Sequence, residues 1–343
     1  MSSSSSSSST SLEPYFETLR AQGYVVIPNI LTSAQCTSYK TRMWDWLEDL
    51  GLGTSRKDPD TWKAPTFPMT QHGIIAYPSL SHTQFIWDVR TEPNVMDVFA
   101  KLWNTDDLLV GFCRASVYLP QQTVATKDWL HIDQSSTEPN LECYQGAVNL
   151  ADQKEPDSAG FMVLPFSHLY HADFFKDTQK ESKGDGYMHA PEDTAWFEQK
   201  DPRCKRTFVP VTEGSITLWD SRCVHWNRSF PKSKASLSIS NALPLANVPE
   251  GRYAIFVSMT PRTKVKDPKV IKRKREAFEN RRSTNHWGHK VTYFPKKPHA
   301  RWPKDIQHLK YIDQRLQENE RVHKKIKEST LLVTPAMKKL AGF

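Results

Sequence analysis

The chain has 343 residues, 38% of them apolar, 24% charged and 11% aromatic. This is the composition of a globular protein with a core of its own, and it excludes an intrinsically disordered chain. The apolar runs are far too short to span a membrane as a helix. The five cysteines (Cys36, Cys113, Cys143, Cys204 and Cys223) contain no CxxC pair. That spacing argues against a disulfide framework or a cysteine-rich zinc site and for a reducing compartment.

The net charge of +8 is unevenly placed. From Arg262 onward there are 23 basic and 8 acidic side chains, whereas residues 1–261 hold 23 basic and 30 acidic ones. A basic end of this kind permits a nucleic-acid or other polyanionic partner but does not establish one. The serine run over 1–11 has no basic flank and no apolar stretch. It reads as a disordered tail rather than a secretory signal. The expectation is an intracellular, cytoplasmic protein, with the nucleus as an alternative.

Leu12–Gln22 reads as a short helix ended by Gly23, and Tyr24–Ile27 as a strand stopped by Pro28. Thr32 or Ser33 caps a helix running to about Leu50, with Met43, Trp44, Leu47 and Leu50 on one side. Residues 52–80 show little periodicity. Glu92–Trp103 is again helical, with Pro93 near its start and a stripe of Val95, Val98, Phe99 and Leu102. Beyond Thr105 come short runs rich in Val, Ile, Phe and Tyr: 108–119, 145–150, 160–164, 207–211, 215–219, 235–239 and 253–259. Such spacing indicates an antiparallel barrel or sandwich. The polar segment 172–206 interrupts it. Asp267 and Pro268 cap a basic helix to about Arg282, and a second helix is expected near Lys304–Lys327.

Two segments carry metal chemistry between them. His131-Ile-Asp133 puts an imidazole and a carboxylate on one face of a strand, because side chains two residues apart point the same way. Gly214–His225 reads as a turn, a strand and, at the far end, His225, 92 residues after Asp133. Either segment alone has an ordinary structural reading, and His171-Ala-Asp173 repeats the same spelling by chance. Together, two imidazoles and one carboxylate form the facial triad that holds non-haem Fe(II) and leaves coordination positions open. Arg252 opens a later strand, and a guanidinium is the preferred fork for a carboxylate.

Several stretches, taken in order, resemble the phytanoyl-CoA dioxygenase-like family of Fe(II)/2-oxoglutarate oxygenases. Gln22–Cys36 is similar to the family's opening strand and helix, and His131-Ile-Asp133-Gln134 to its proximal metal motif. Gly146–Leu150 with Ala159–His168 is similar to its central strands and their Pro, Ser-His turn. Trp219–His225 is similar to its distal histidine strand, and Arg252–Pro261 to its last core strand. The resemblance implies a mainly β fold with flanking α: a double-stranded β-helix, or jelly-roll, cupin-like barrel, over 12–262. A basic helical extension, 263–343, would pack on or near it.

The resemblance also implies catalytic and metal-binding roles for His131, Asp133 and His225. Fe(II), 2-oxoglutarate and O2 would be the cofactor and cosubstrates. The family places its cosubstrate arginine about ten residues after the distal histidine, which falls here at Ala235–Ser236. Arg252 lies 27 residues after His225, beyond an apparent insertion, and is expected to take that role, with Asn227 assisting and Arg228 as the competitor. The implied activity is hydroxylation of an organic substrate (an acyl-CoA, lipid-like or other, acidic small molecule) with release of succinate and CO2. The alternatives are a nucleic-acid- or nucleotide-directed oxygenase using the basic 264–275 segment, and a non-catalytic binding barrel. An aspartate in the triad disfavours a halogenase. The histidines and aromatics of Asn285–His289 are expected to pack over the barrel rather than build a second zinc site.

Overall fold

The computed structural model describes residues 11–63, 66–68, 70–75, 80–120, 128–182, 184–231, 248–293, 320–321, 324 and 330–343. The expected strand at 235–239, most of the expected helix at 304–327 and all but Ser11 of the serine tail lie outside them.

Helix α1 (Glu13–Gln22) is stopped by Gly23 in the left-handed conformation, and β1 (Tyr24–Ile27) follows at once. In α2 (Ser33–Asp49), Thr32 and Gln35 form a capping box, and Cys36, Tyr39, Met43, Trp44 and Leu47 are buried. The aperiodic region holds a minimal hairpin, β2 (Thr70–Gln71) and β3 (Ile74–Ile75). Helices α3 (Gln84–Thr91) and α4 (Pro93–Trp103) adjoin at Glu92, with Pro93 opening the second. The sequence pattern marks α4 but not α3, whose fully buried Arg90 breaks an otherwise apolar face.

The remaining strands are β4 (Leu108–Val110), β5 (Ala115–Tyr118), β6 (His131–Ile132), β7 (Tyr144–Asn149), β8 (Gly160–Val163), β9 (Tyr187–Met188), β10 (Thr207–Phe208), β11 (Ile216–Asp220), β12 (His225–Arg228), β13 (Arg252–Val257) and β14 (Met259–Pro261). Two helices, α5 (His171–Thr178) and α6 (Asp193–Lys200), occupy the polar interruption, and α7 (Lys269–Glu279) and α8 (Pro335–Leu340) come last. The run expected at 108–119 is two strands, because residues 111–114 leave the sheet.

Two antiparallel sheets face each other, as a jelly roll requires. The larger has the order β1-β11-β7-β13-β5-β3-β2 and the smaller β10-β8-β12-β6-β9. Alternation along the strands makes three layers. Val148, Leu218, Tyr253, Ile255 and Val117 face outward onto α1–α4. Ala147, Trp219, Ala254, Phe161 and Val163 meet between the sheets. On the far side of the smaller sheet, Leu130, Ile132 and Trp226 pack against Phe174 and Phe197 of α5 and α6. The central strands are buried on both faces, which is why β7 and β11 lack a polar alternation.

Candidate metal centre

Strands β6 and β12 pair so that His131 and His225 stand directly opposite each other. The residues flanking each histidine are apolar and buried: Leu130 and Ile132 around the first, Val224 and Trp226 around the second. They anchor the outward faces, and alternation turns His131, Asp133, His225 and Asn227 inward. The Asp133 amide is fixed by donating to the Ser221 carbonyl at 3.0 Å.

The three side chains offer one atom each within 4.8 Å of one another. Asp133 Oδ2 lies 3.4 Å from His225 Nε2 and 3.7 Å from His131 Nε2. Both rings are oriented through their other nitrogen: His131 Nδ1 donates to the Trp129 carbonyl at 3.1 Å, and His225 Nδ1 to the Cys223 carbonyl at 2.9 Å. That tautomer leaves both Nε2 lone pairs for a cation, the usual arrangement of a histidine ligand. Burial, helped by nearby His225, pushes the His131 imidazole down to about 3, so it is neutral. Burial alone would raise the Asp133 carboxyl, but His286, His131 and His225 hold it well below the usual carboxylate range. A neutral imidazole at His131 and an ionised carboxylate at Asp133 are protonation states a divalent metal needs.

The triad opens on a cavity of about 480 Å³, lined among others by Trp129, Phe161, Trp219, Phe256, Thr284 and His286. Trp129 stacks on His131 at 4.3 Å between centroids and on His72 at 4.1 Å, forming one aromatic wall. Among the described residues, four buried polar atoms on this cavity have no hydrogen-bond partner: His72 Nδ1, Gln145 Nε2, Trp219 Nε1 and Asn227 Oδ1. A bare cavity surface of this kind is what a polar ligand would satisfy.

Arg252 is on the inward face of β13, in the same parity as Phe256 and Ser258, which line the cavity. It does not itself line the cavity, but lies deeper between the sheets, 1% exposed. Its Nε donates to Gln153 Oε1 and its Nη1 to Ser116 Oγ, each at 3.0 Å. No carboxylate among the described residues pairs with it, and burial lowers its guanidinium to about 10. Arg228 has the opposite parity to Asn227. Its Nε donates to the Ser158 carbonyl at 2.9 Å, and it covers the Phe208 ring at 4.0 Å, away from the cavity. His171 is buried beside Phe175 on α5, outside the cluster.

Sequence reasoning did not single out Trp129, Phe256 or His286 for the site. The first two were within its reach, since they share parity with His131 and Arg252. His286 reaches the centre only through the tertiary path of the C-terminal segment.

The model of the phytanoyl-CoA dioxygenase (PhyH) family matches residues 19–230, more than half of the chain, and spans all three triad residues. The chain belongs to the phytanoyl-CoA dioxygenase family. A relative from Aspergillus versicolor, "Ava biosynthesis cluster protein O", is 28% identical over 278 residues, 78% of this chain and 84% of that protein. Among solved structures, EctD from S. alaskensis with 2-oxoglutarate and 5-hydroxyectoine is 15% identical. It covers 77% of this chain and 80% of its own, with a TM-score of 0.48. The epimerase SnoN, in complex with Fe3+, alpha ketoglutarate and nogalamycin RO, is 16% identical over 74% of this chain and 84% of its own, with a TM-score of 0.47. Within the phytanoyl-CoA dioxygenase family, His131, Asp133 and His225 stand in the double-stranded β-helix where the two sheets face each other.

Proposed function

We propose that this member of the family is an Fe(II)- and 2-oxoglutarate-dependent oxygenase that hydroxylates an organic small molecule. The observation that carries the reading is the convergence of His131 Nε2, Asp133 Oδ2 and His225 Nε2 on one point of a cavity wall. The donor set fits iron: two imidazoles and one carboxylate leave positions open for ligands. The Arg252 guanidinium fits the cosubstrate's far carboxylate, because an unpaired buried cation is costly and a carboxylate ligand would supply the missing anion. Gln145, Trp219 and Asn227 hold polar atoms ready for the rest of that ligand.

When bound, iron supplies the oxidising chemistry that couples cosubstrate decarboxylation to attack on a C–H bond. The chain's own share is different. His131 and His225 hold their Nε2 atoms through Nδ1 anchors, and Asp133 stays ionised between them. Trp129, Phe161, Trp219 and Phe256 exclude water from the space where substrate would sit. Residues 12–262 are the proposed catalytic domain, and the segment after them contributes Thr284 and His286 to its wall.

The test is succinate release from 2-oxoglutarate in the presence of Fe(II) and O2. Arg252→Ala should raise the 2-oxoglutarate concentration needed for half-maximal rate by about tenfold or more, the loss expected for a charge-assisted pair. Arg228→Ala should leave it unchanged. No succinate from iron-loaded wild type would contradict the oxygenase reading. A defect confined to Arg228→Ala would reassign the arginine.

A further inference from the structure

The C-terminal segment after α7 turns back across the cavity, and its path is tightly fixed. Thr284 N donates to the Phe112 carbonyl at 3.2 Å, and the Phe112 amide donates to Thr284 Oγ1 at 3.1 Å. Ser81 and Ser283 hydroxyls meet at 2.6 Å. Trp287 is fully buried, and His289 bridges Glu142 at 3.1 Å and Thr260 at 3.2 Å. The backbones touch where glycine allows it. A methyl group on Gly111 would stand 2.5 Å from the His286 carbonyl oxygen, and one on Gly288 would stand 2.1 Å from that of Leu109.

This fixed path presents His286 edge-on to Asp133. His286 Nε2 lies 3.3 Å from the Asp133 carbonyl oxygen, and Nδ1 lies 3.9 Å from Asp133 Oδ2. One imidazole therefore spans both the main chain and the carboxylate of the same residue. A carbonyl can only accept, so Nε2 carries a proton. The ring thus lies against Asp133 from the side of the C-terminal segment.

We propose that His286 is a positioning residue for the metal centre: it braces Asp133 so that Oδ2 stays aimed between the two histidine Nε2 atoms. The brace comes from outside residues 19–230, the part that matches the family model. It rests on the reading of the triad as a metal site. A partner that orients a ligand typically contributes about 10- to 100-fold to metal affinity.

Co(II) added to the metal-free full chain is the probe, read by its visible absorption, with melting temperature measured in parallel. His286→Ala is expected to weaken Co(II) binding by about 10- to 100-fold. His286→Gln can place an amide N–H near the Asp133 carbonyl, and it should recover most of the affinity. Metal-free melting temperatures of all three proteins should agree. Wild-type affinity in His286→Ala would overturn the proposal. So would a loss that tracks a lower melting temperature and is not rescued by His286→Gln, which would assign His286 to packing. Asp133→Ala separates the two readings. If wild type and Asp133→Ala bind Co(II) alike, the triad reading fails and the brace fails with it. If only His286→Ala behaves as wild type, the brace alone fails.

Discussion

Arg252 and Lys274 are both cations buried without a carboxylate beside them among the described residues, and each meets that cost in a different way. Arg252 keeps its charge, and a ligand carboxylate would complete it. Lys274, on α7, has its Nζ bonded to the Val110 carbonyl and set 4.5 Å from the Phe112 ring centre. Burial lowers its ammonium to about 7, against 10.4 in an unfolded chain. The unfolded state therefore binds more protons between those values, and stability rises with pH through that window. Lys274→Met should raise the melting temperature at pH 7, and the gain should shrink as pH approaches 10. Thermal melts at pH 7, 8.5 and 10 check this, and an equal or larger gain at pH 10 would show that charge burial is not the cause.

Among the elements, β6 was the most legible, because strand parity ties His131 to Asp133 whatever the surrounding fold. The run expected to end at His225 is instead two strands, β11 and β12, parted by a turn at 221–224, so His225 opens a strand rather than closing one. Helices α2 and α4 carry explicit signals: the Thr32 capping box and Pro93 at the first turn. Helix α3 was not legible, since its buried Arg90 bonds backbone carbonyls of Ser81 and Cys113 that no sequence pattern reveals. Residues 111–114 read as strand because Phe112 and Cys113 continue an apolar run, yet the Gly111 and Phe112 amides bond to Ser258 and Thr284. The C-terminal segment was the least legible part of the candidate site. Its histidines and aromatics were visible, but their target depends on two glycine contacts made across the fold. Gly288→Ala should therefore weaken Co(II) binding although Gly288 touches no ligand, because the added methyl must displace the segment that carries His286. Unchanged affinity in a folded Gly288→Ala protein would show that the path tolerates the shift.

Across the whole molecule, the two sheets divide the work. The smaller sheet brings His131 and His225 together, and the larger carries Gln145, Trp219, Phe256 and the deeper Arg252 on its inward face. The family match ends at residue 230, whereas Phe256, Ser258, Thr284 and His286 complete the cavity from beyond it. The basic charge anticipated for the C-terminal part is present on α7, where it is solvated at Lys269, Lys272, Arg273 and Arg275, while Lys274, Ala277 and Phe278 turn inward. No helix among the described residues is long and apolar enough to cross a membrane.

The central claim is that His131, Asp133 and His225 bind iron in a cavity that also takes 2-oxoglutarate through Arg252. An anaerobic titration of 2-oxoglutarate into Fe(II)-loaded protein tests it most directly, by the metal-to-ligand charge-transfer band that forms when the 2-oxo acid chelates iron. The band is expected in wild type, absent in His225→Ala and Asp133→Ala, and displaced to about tenfold or more higher 2-oxoglutarate in Arg252→Ala. Wild-type protein with confirmed iron and no band, or a band that survives in His225→Ala and Asp133→Ala, would contradict it.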